Sequence, residues 1–394
     1  MNRKETSGPR IGGENFKNSL TSVLAAFFCI IIGLVAGYVV LFIINSENAW
    51  ENGLLRIMQG GFYDVPYGVG RTLSLGAPLI MTGLSVAFAF KTGLFNIGVA
   101  GQYTLGAFGA LFCAIVLKLP WWLCLIGSAL CGGLWGLIPG LFKAFLNINE
   151  VITAIMFNWI GLYLVNEIIY GGGYGAMYDA YNAKTYSINK VSPDSIIPDL
   201  GLAELFRQKS ATVSIFLAII VAVVIYIILQ KTIFGYELKA CGFNKDAARY
   251  AGINEKKNIV LSMTIAGMLG GFGAGLYYLS GGVEWSPLNS TALPVMGFNG
   301  ISVALLASSN PIGTIFSGLF IAHISVGGAY LPSRYFPSEV ANVITGIIIY
   351  LCAFSMLFKT HISALFKKLF GKGEMSNVND EPDAKDEKPG KEAN

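Results

Sequence analysis

Asn258-Ile-Val-Leu-Ser-Met-Thr-Ile-Ala-Gly-Met-Leu-Gly-Gly-Phe-Gly-Ala-Gly-Leu-Tyr-Tyr-Leu-Ser-Gly-Gly-Val283 contains no Asp, Glu, Lys or Arg. A helix of about 20 such residues crosses a hydrocarbon core about 30 Å thick. The windows 72–90, 92–117, 119–142, 211–230, 285–333 and 340–358 are equally free of charge. Inside lipid every backbone N–H and C=O must be paired within the protein, so spans are helices or a closed barrel. Barrel strands alternate apolar and polar residues, whereas these runs are apolar throughout, so they read as helices. Composition agrees: of 394 residues 54% are hydrophobic and 13% charged, with mean hydropathy +0.59. A soluble domain carries about a quarter charged residues.

Helices are expected near 23–44, 72–90, 97–117, 120–142, 150–169, 211–230, 258–280, 289–308, 311–331 and 338–358, ten in all. The uncharged stretch 285–333 holds either two full spans or one span and a re-entrant segment. Basic residues orient the bundle, because cytoplasmic loops carry the excess of Lys and Arg. Residues 231–257 hold six basic side chains (Lys231, Lys239, Lys245, Arg249, Lys256, Lys257) against three acidic ones. Residues 1–20 have four basic against two acidic, and 359–372 add four lysines with no acid. By contrast, 45–71 has two basic and three acidic residues, and 170–210 has four of each. Ten spans put every basic-rich segment on one side, with both termini cytoplasmic.

The chain therefore divides into a cytoplasmic segment 1–22, a transmembrane domain 23–358 and a cytoplasmic tail 359–394 that is basic and then acidic and disordered. Within the domain, 170–210 is an external loop and 231–257 a cytoplasmic one. The first apolar run follows basic residues as a signal peptide would, but it is long and lacks a small-x-small cleavage site, so it reads as a retained span.

Cys29, Cys113, Cys124, Cys131, Cys241 and Cys352 fall in spans or in the cytoplasmic loop with no CxxC spacing, and read as small apolar packing residues. Gly132, Gly136 and Gly140 recur every fourth residue, as do Gly267, Gly271 and Gly275, which suits helices packed backbone to backbone. No GxxxxGK[ST] phosphate loop occurs, so ATP used on behalf of this chain belongs to a partner. Intramembrane ionisable groups are too few for a proton relay: Glu150 and Glu167 sit near span ends, and His323 reads as a hydrogen-bonded packing residue. No metal-ligand cluster and no nucleophile with its base stands out, which predicts neither an enzyme nor a metal site, and nothing points to nucleic acid. Phe95-Asn96-Ile97-Gly98 and Phe298-Asn299-Gly300-Ile301 form a faint repeat, expected of five helices plus five in inverted topology.

Three stretches carry a resemblance. The run from Pro78 through Lys91-Thr-Gly-Leu-Phe95-Asn96-Ile-Gly-Val-Ala100-Gly101-Gln102 resembles the signature of permeases in the branched-chain amino acid and simple-sugar group of bacterial ABC importers, above all nucleoside permeases. Asn149-Glu150-Val-Ile-Thr-Ala-Ile-Met-Phe-Asn158-Trp159 resembles a segment separating nucleoside-type from ribose-type members. Gly235 through Gly242-Phe-Asn244-Lys-Asp246-Ala247-Ala248 to Gly252-Ile253 is similar to the cytoplasmic loop that meets the ATPase. The likeness spans nearly all of 20–358 and departs at Ala100, where relatives commonly carry an acid. It implies a permease subunit importing nucleosides, or else simple sugars such as ribose or galactose. Its implied partners are an ABC ATPase, a second permease that is identical or homologous, and a lipid-anchored external binding protein. A stand-alone secondary transporter is the reading from a different class.

The residues suggest the same sites. In the cytoplasmic loop Asp246 suits the first turn of a short helix, Gly252 suits its stop, and Ala247 and Ala248 leave a low face for a partner's groove. Gly242, Asn244, Asp246, Ala247, Ala248 and Gly252 are the expected coupling set; a solvated loop helix fits them as well. For the path, the uncharged polar Asn96, Gln102, Asn158 and Asn299 suit a neutral hydroxylated solute, with Phe95 and Trp159 to stack on it. Taken singly, each of these six reads first as a helix-helix hydrogen bond or packing residue.

Overall fold

The apolar windows become long helices because lipid offers the backbone no partner and a single run satisfies its own N–H and C=O groups only in that form. The computed structural model describes residues 11–171, 175–286 and 292–337, with a few positions between 340 and 351; side chains are described from residue 28. In chain order the helices are α1 (Ile11–Ile44), α2 (Leu55–Gln59), α3 (Tyr67–Lys91), α4 (Val99–Leu111), α5 (Trp121–Leu146), α6 (Glu150–Tyr170), α7 (Ile188–Val191) and α8 (Leu202–Leu205). They continue with α9 (Ser214–Lys231), α10 (Ile233–Phe243), α11 (Lys245–Tyr250), α12 (Glu255–Tyr278), α13 (Val295–Leu306) and α14 (Pro311–Ala329). The strands found are a two-residue pair, β1 (Tyr178–Asp179) against antiparallel β2 (Lys184–Thr185), in the expected external loop.

Among the described residues seven helices are long and apolar enough to cross a membrane: α3, α4 with its continuation to Val116, α5, α6, α9, α12 and α14. The span expected near 23–44 lies within α1. The span expected at 289–308 is instead the 12-residue α13. At 1.5 Å per residue it is about 18 Å long, short of the membrane core. Its end is set by Ser308 and Ser309, at φ 50° and 55°, after which Asn310 caps α14 through the Ile312 amide at 3.0 Å. The tail 359–394 and most of the expected helix 338–358 lie outside the described residues.

The glycine stripes of α5 and α12 face one another. A Cβ on Gly132 would lie 2.7 Å from the Gly271 Cα, and one on Gly136 would lie 3.0 Å from the Gly267 Cα. The two backbones touch where any larger residue would hold them apart. Ser128 adds a polar tie, its hydroxyl lying 2.8 Å from the Gly106 carbonyl of α4 and 2.5 Å from that of Gly271. Three helices thus share one close crossing, and α3 lies along α12 on the other side, with Ser85 donating to the Ala266 carbonyl at 2.6 Å. His323 is clamped: the Gly61 amide donates to Nδ1 at 3.2 Å and Nε2 lies 3.1 Å from the Met58 carbonyl. That is the packing role expected of it. The described cysteines, Cys29, Cys113, Cys124, Cys131 and Cys241, are all free thiols.

Candidate functional site

The charge-free stretch that continues α3 does not stay helical. Gly93, at φ 70°, breaks the helix after Lys91, and the chain runs unwound to Gly98 before α4 begins. Helix ends leave amides and carbonyls without partners, and within the bundle those partners must come from side chains. Of three amide side chains here, Asn158 supplies such backbone partners and the other two bond side chains. Asn96 donates to the Gln102 Oε1 at 2.8 Å while Gln102 Nε2 donates back to the Asn96 Oδ1 at 3.0 Å, and Asn96 also reaches the Ser85 hydroxyl at 3.1 Å. Asn158, on α6, accepts from the Gly101 amide at 2.8 Å and donates to the Ile97 carbonyl at 3.1 Å. All three amides are buried. The α3–α4 interruption is therefore held in one geometry by a closed set of hydrogen bonds.

The remaining path candidates lie apart from that lock. Phe95 is half-buried and packs on Phe90, with ring centroids 5.1 Å apart. Asn299 is half-buried on α13, and its side chain makes no hydrogen bond among the described residues. Trp159 is one position from Asn158 but points the other way, exposed and stacked on Tyr163 at 6.1 Å. Phe95-Asn96-Ile97-Gly98 is unwound, whereas Phe298-Asn299-Gly300-Ile301 is helical, so the two halves of the faint repeat differ locally. Ala100 is fully buried where α4 meets α13: a Cβ on Gly297 would lie 2.5 Å from the Ala100 Cα and 2.9 Å from its Cβ. That crossing leaves no room for a longer side chain such as the acid that the resemblance leads one to expect there.

The 231–257 loop is better ordered than a loop reading suggests. It holds two helices, α10 and α11, in a stretch expected to hold one short helix starting at Asp246. Thr232 caps α10 through the Gly235 amide at 3.1 Å. Asn244 caps α11 through the Ala247 amide at 3.0 Å, so the helix begins one residue earlier, at Lys245. Asn254 caps α12 through the Lys257 amide at 3.1 Å. Gly252 stops α11 at φ 82°, the left-handed conformation that favours glycine. Asp246 and Ala247 are exposed, but Ala248 is only 4% exposed and seats α11 against its own chain. Ala248 therefore does not form the low outward face expected of it. Packing decides this: α11 turns position 248 toward its own chain and leaves 246 and 247 outward. Two side chains that the sequence reading passed over dominate the outer surface, Phe243 and Tyr250, each 95% exposed. Their signal was aromatic residues flanking a capped six-residue helix in a basic loop. The Cys241 thiol faces inward, and burial raises its pKa.

The sequence profile described as branched-chain amino acid transport system / permease component matches residues 68–353. The chain belongs to this permease family. The permease is 34% identical over 354 residues to the guanosine ABC transporter permease protein NupP of Bacillus subtilis (strain 168), covering 89% of this chain and 98% of the relative. It is 32% identical to the nucleoside ABC transporter permease protein NupB of Lactococcus lactis subsp. cremoris (strain MG1363), over 87% of this chain and 93% of that one. The glucose ABC transporter permease protein TsgB13 of Haloferax volcanii is 26% identical over 84% of this chain and 87% of its own length. No solved structure matches. As a member of this family the permease is a multi-pass protein of the cytoplasmic membrane and a transport subunit rather than an enzyme. Both sequence stretches that suggested the path, and the whole 231–257 loop, fall inside the matched region.

Proposed function

We propose that this permease carries nucleosides into the cell as the membrane subunit of an ABC importer, with the energy supplied by a separate ATPase. The observation that carries the reading is full-length similarity at 34% and 32% identity to permeases named for guanosine and nucleosides, against 26% to one named for glucose. In this reading the bundle has ten membrane helices, the short α13 among them, both termini are cytoplasmic, and two sets of five helices are related by inverted topology. Residues 231–257 face the cytoplasm, with Asn244 and Gly252 shaping α11, Ala248 seating it, and Asp246, Ala247, Phe243 and Tyr250 offered to the ATPase. The buried Asn96, Gln102 and Asn158 shape the interruption from behind, while Phe95 and Asn299 keep free faces for the solute. The exposed Trp159 faces a second permease subunit, and a lipid-anchored binding protein delivers solute at the 170–210 loop.

Uptake of labelled guanosine, other nucleosides, ribose, galactose and glucose by cells with and without the gene tests the substrate. Nucleoside uptake that disappears with the gene and with ATP depletion is the expected result. Uptake restricted to the sugars would move the permease to the sugar branch. Nucleoside uptake that survives loss of the ATPase would replace the importer by a secondary transporter.

A further inference from the structure

Besides Ala248, a second residue of the coupling set faces into the protein rather than toward a partner. Gly242, near the end of α10, lies against the turn that closes α3: a Cβ placed on it would meet the Lys91 carbonyl oxygen, the Thr92 carbonyl carbon at 2.9 Å and the Gly93 amide nitrogen at 2.9 Å. From the other side, a Cβ on Gly93 would lie 3.0 Å from the Gly242 carbonyl oxygen and 3.2 Å from its Cα. The two segments thus touch backbone to backbone, with no side chain between them whose rotation could absorb a displacement. Gly93 opens the unwound stretch that holds Asn96, which pairs with Gln102 of α4. Its neighbour Thr92 is fixed to α12 by a hydroxyl contact with Ser262 at 2.5 Å, and α10 is tied to α12 where Asn258 donates to Glu237 at 3.3 Å.

We infer that the Gly242–Gly93 backbone contact transmits movement of the 231–257 loop into the Thr92–Gly98 interruption, which makes these two glycines the positioning residues of the transport cycle. The inference rests on the loop being the ATPase contact. A push on α10 moves Gly242, Gly242 can only push the Lys91–Gly93 turn, and the turn carries the segment that holds Asn96. Rigid elements in direct contact are what couple distant sites. The exposed face of the loop receives the force, and Gly242 delivers it.

Hydrogen–deuterium exchange on the wild-type permease with its ATPase in nanodiscs, nucleotide-free and trapped with an ATP analogue, tests this without altering the chain. Exchange is expected to change together in peptides covering 91–98 and 240–252. A change in 240–252 with none in 91–98 overturns the inference and leaves the coupling loop standing. No change in 240–252 on trapping removes both. In proteoliposomes, Gly242→Ala is expected to lower solute moved per ATP hydrolysed by about two- to thirtyfold, the range for coupling chains of this kind, with ATPase still bound. Gly201→Ala, at φ 84° with nothing within 4 Å of the new methyl, makes the same Gly-to-Ala change without the contact, adding a backbone strain that the helical Gly242 does not carry, and should keep the wild-type ratio. An unchanged ratio in folded Gly242→Ala, or an equal loss in Gly201→Ala, overturns the inference; if Gly242→Ala does not fold, the exchange measurement decides.

Discussion

Replacing Asn96 by Leu removes three hydrogen bonds at once: the reciprocal pair with Gln102 at 2.8 and 3.0 Å and the one to Ser85 at 3.1 Å. In membrane proteins such bonds average about 0.6 kcal/mol each, with larger values up to about 1.7. The larger cost is what the substitution leaves behind, because both ends of the buried Gln102 amide lose their partner, and an orphaned buried polar group costs about 1–3 kcal/mol. The single variant should therefore lose about 3–5 kcal/mol, and Gln102→Leu a similar amount for the same reason. Removing both partners leaves neither amide orphaned, so Asn96→Leu/Gln102→Leu should cost less than the two singles added, by about 2 kcal/mol or more. Thermal unfolding of purified protein in detergent, followed as a double-mutant cycle, gives the coupling, and labelled nucleoside uptake at matched membrane levels gives the functional parallel. Strictly additive stabilities would refute the closed lock. Uptake that collapses in the double variant while its stability recovers would instead mark the amides as direct solute contacts.

Three further outcomes follow from the same geometry. A cysteine at Tyr181, which is 96% exposed, should react with an impermeant thiol reagent from outside intact cells, and one at Asn254 should not; the opposite pattern would reverse the orientation. Phe243→Ala and Tyr250→Ala should each weaken co-purification of the ATPase by about 2 kcal/mol, as exposed aromatic anchors do, without lowering the amount of folded permease, whereas Ala248→Arg should disrupt α11 itself because position 248 is buried. Wild-type ATPase retention by the double aromatic variant would take the loop surface out of the contact. Gly271→Leu should abolish the α5–α12 crossing, since even a Cβ there would lie 2.9 Å from the Gly132 Cα; a monodisperse, thermally unchanged Gly271→Leu protein would contradict the crossing described here.

Charge exclusion and the size of side chains are properties of the chain itself, and they settled most of what the sequence could settle. Windows such as 72–90 and 258–283 dictate helices because lipid offers a backbone no partner, and these two windows became α3 and most of α12. The four-residue glycine spacing on α5 and α12 likewise announced a close crossing, because only a residue without a side chain allows backbone contact. Family membership was legible too, from the motif around Lys91–Gln102 and from the loop near Gly242. What the sequence did not determine was direction and pairing. Hydropathy sums over 285–333 do not locate the left-handed pair Ser308–Ser309 that cuts α13 to 12 residues. Nor does a list of polar residues say that Asn96 pairs with Gln102 while the Asn299 side chain finds no hydrogen bond among the described residues, since that depends on helices distant in sequence arriving side by side. Ala247 and Ala248 look alike in sequence, and only the packing of α11 on its own chain turned one outward and the other in. The tertiary structure alone decided that Gly242 meets Gly93, because two unremarkable glycines become a contact only when three helices fix where each chain segment ends.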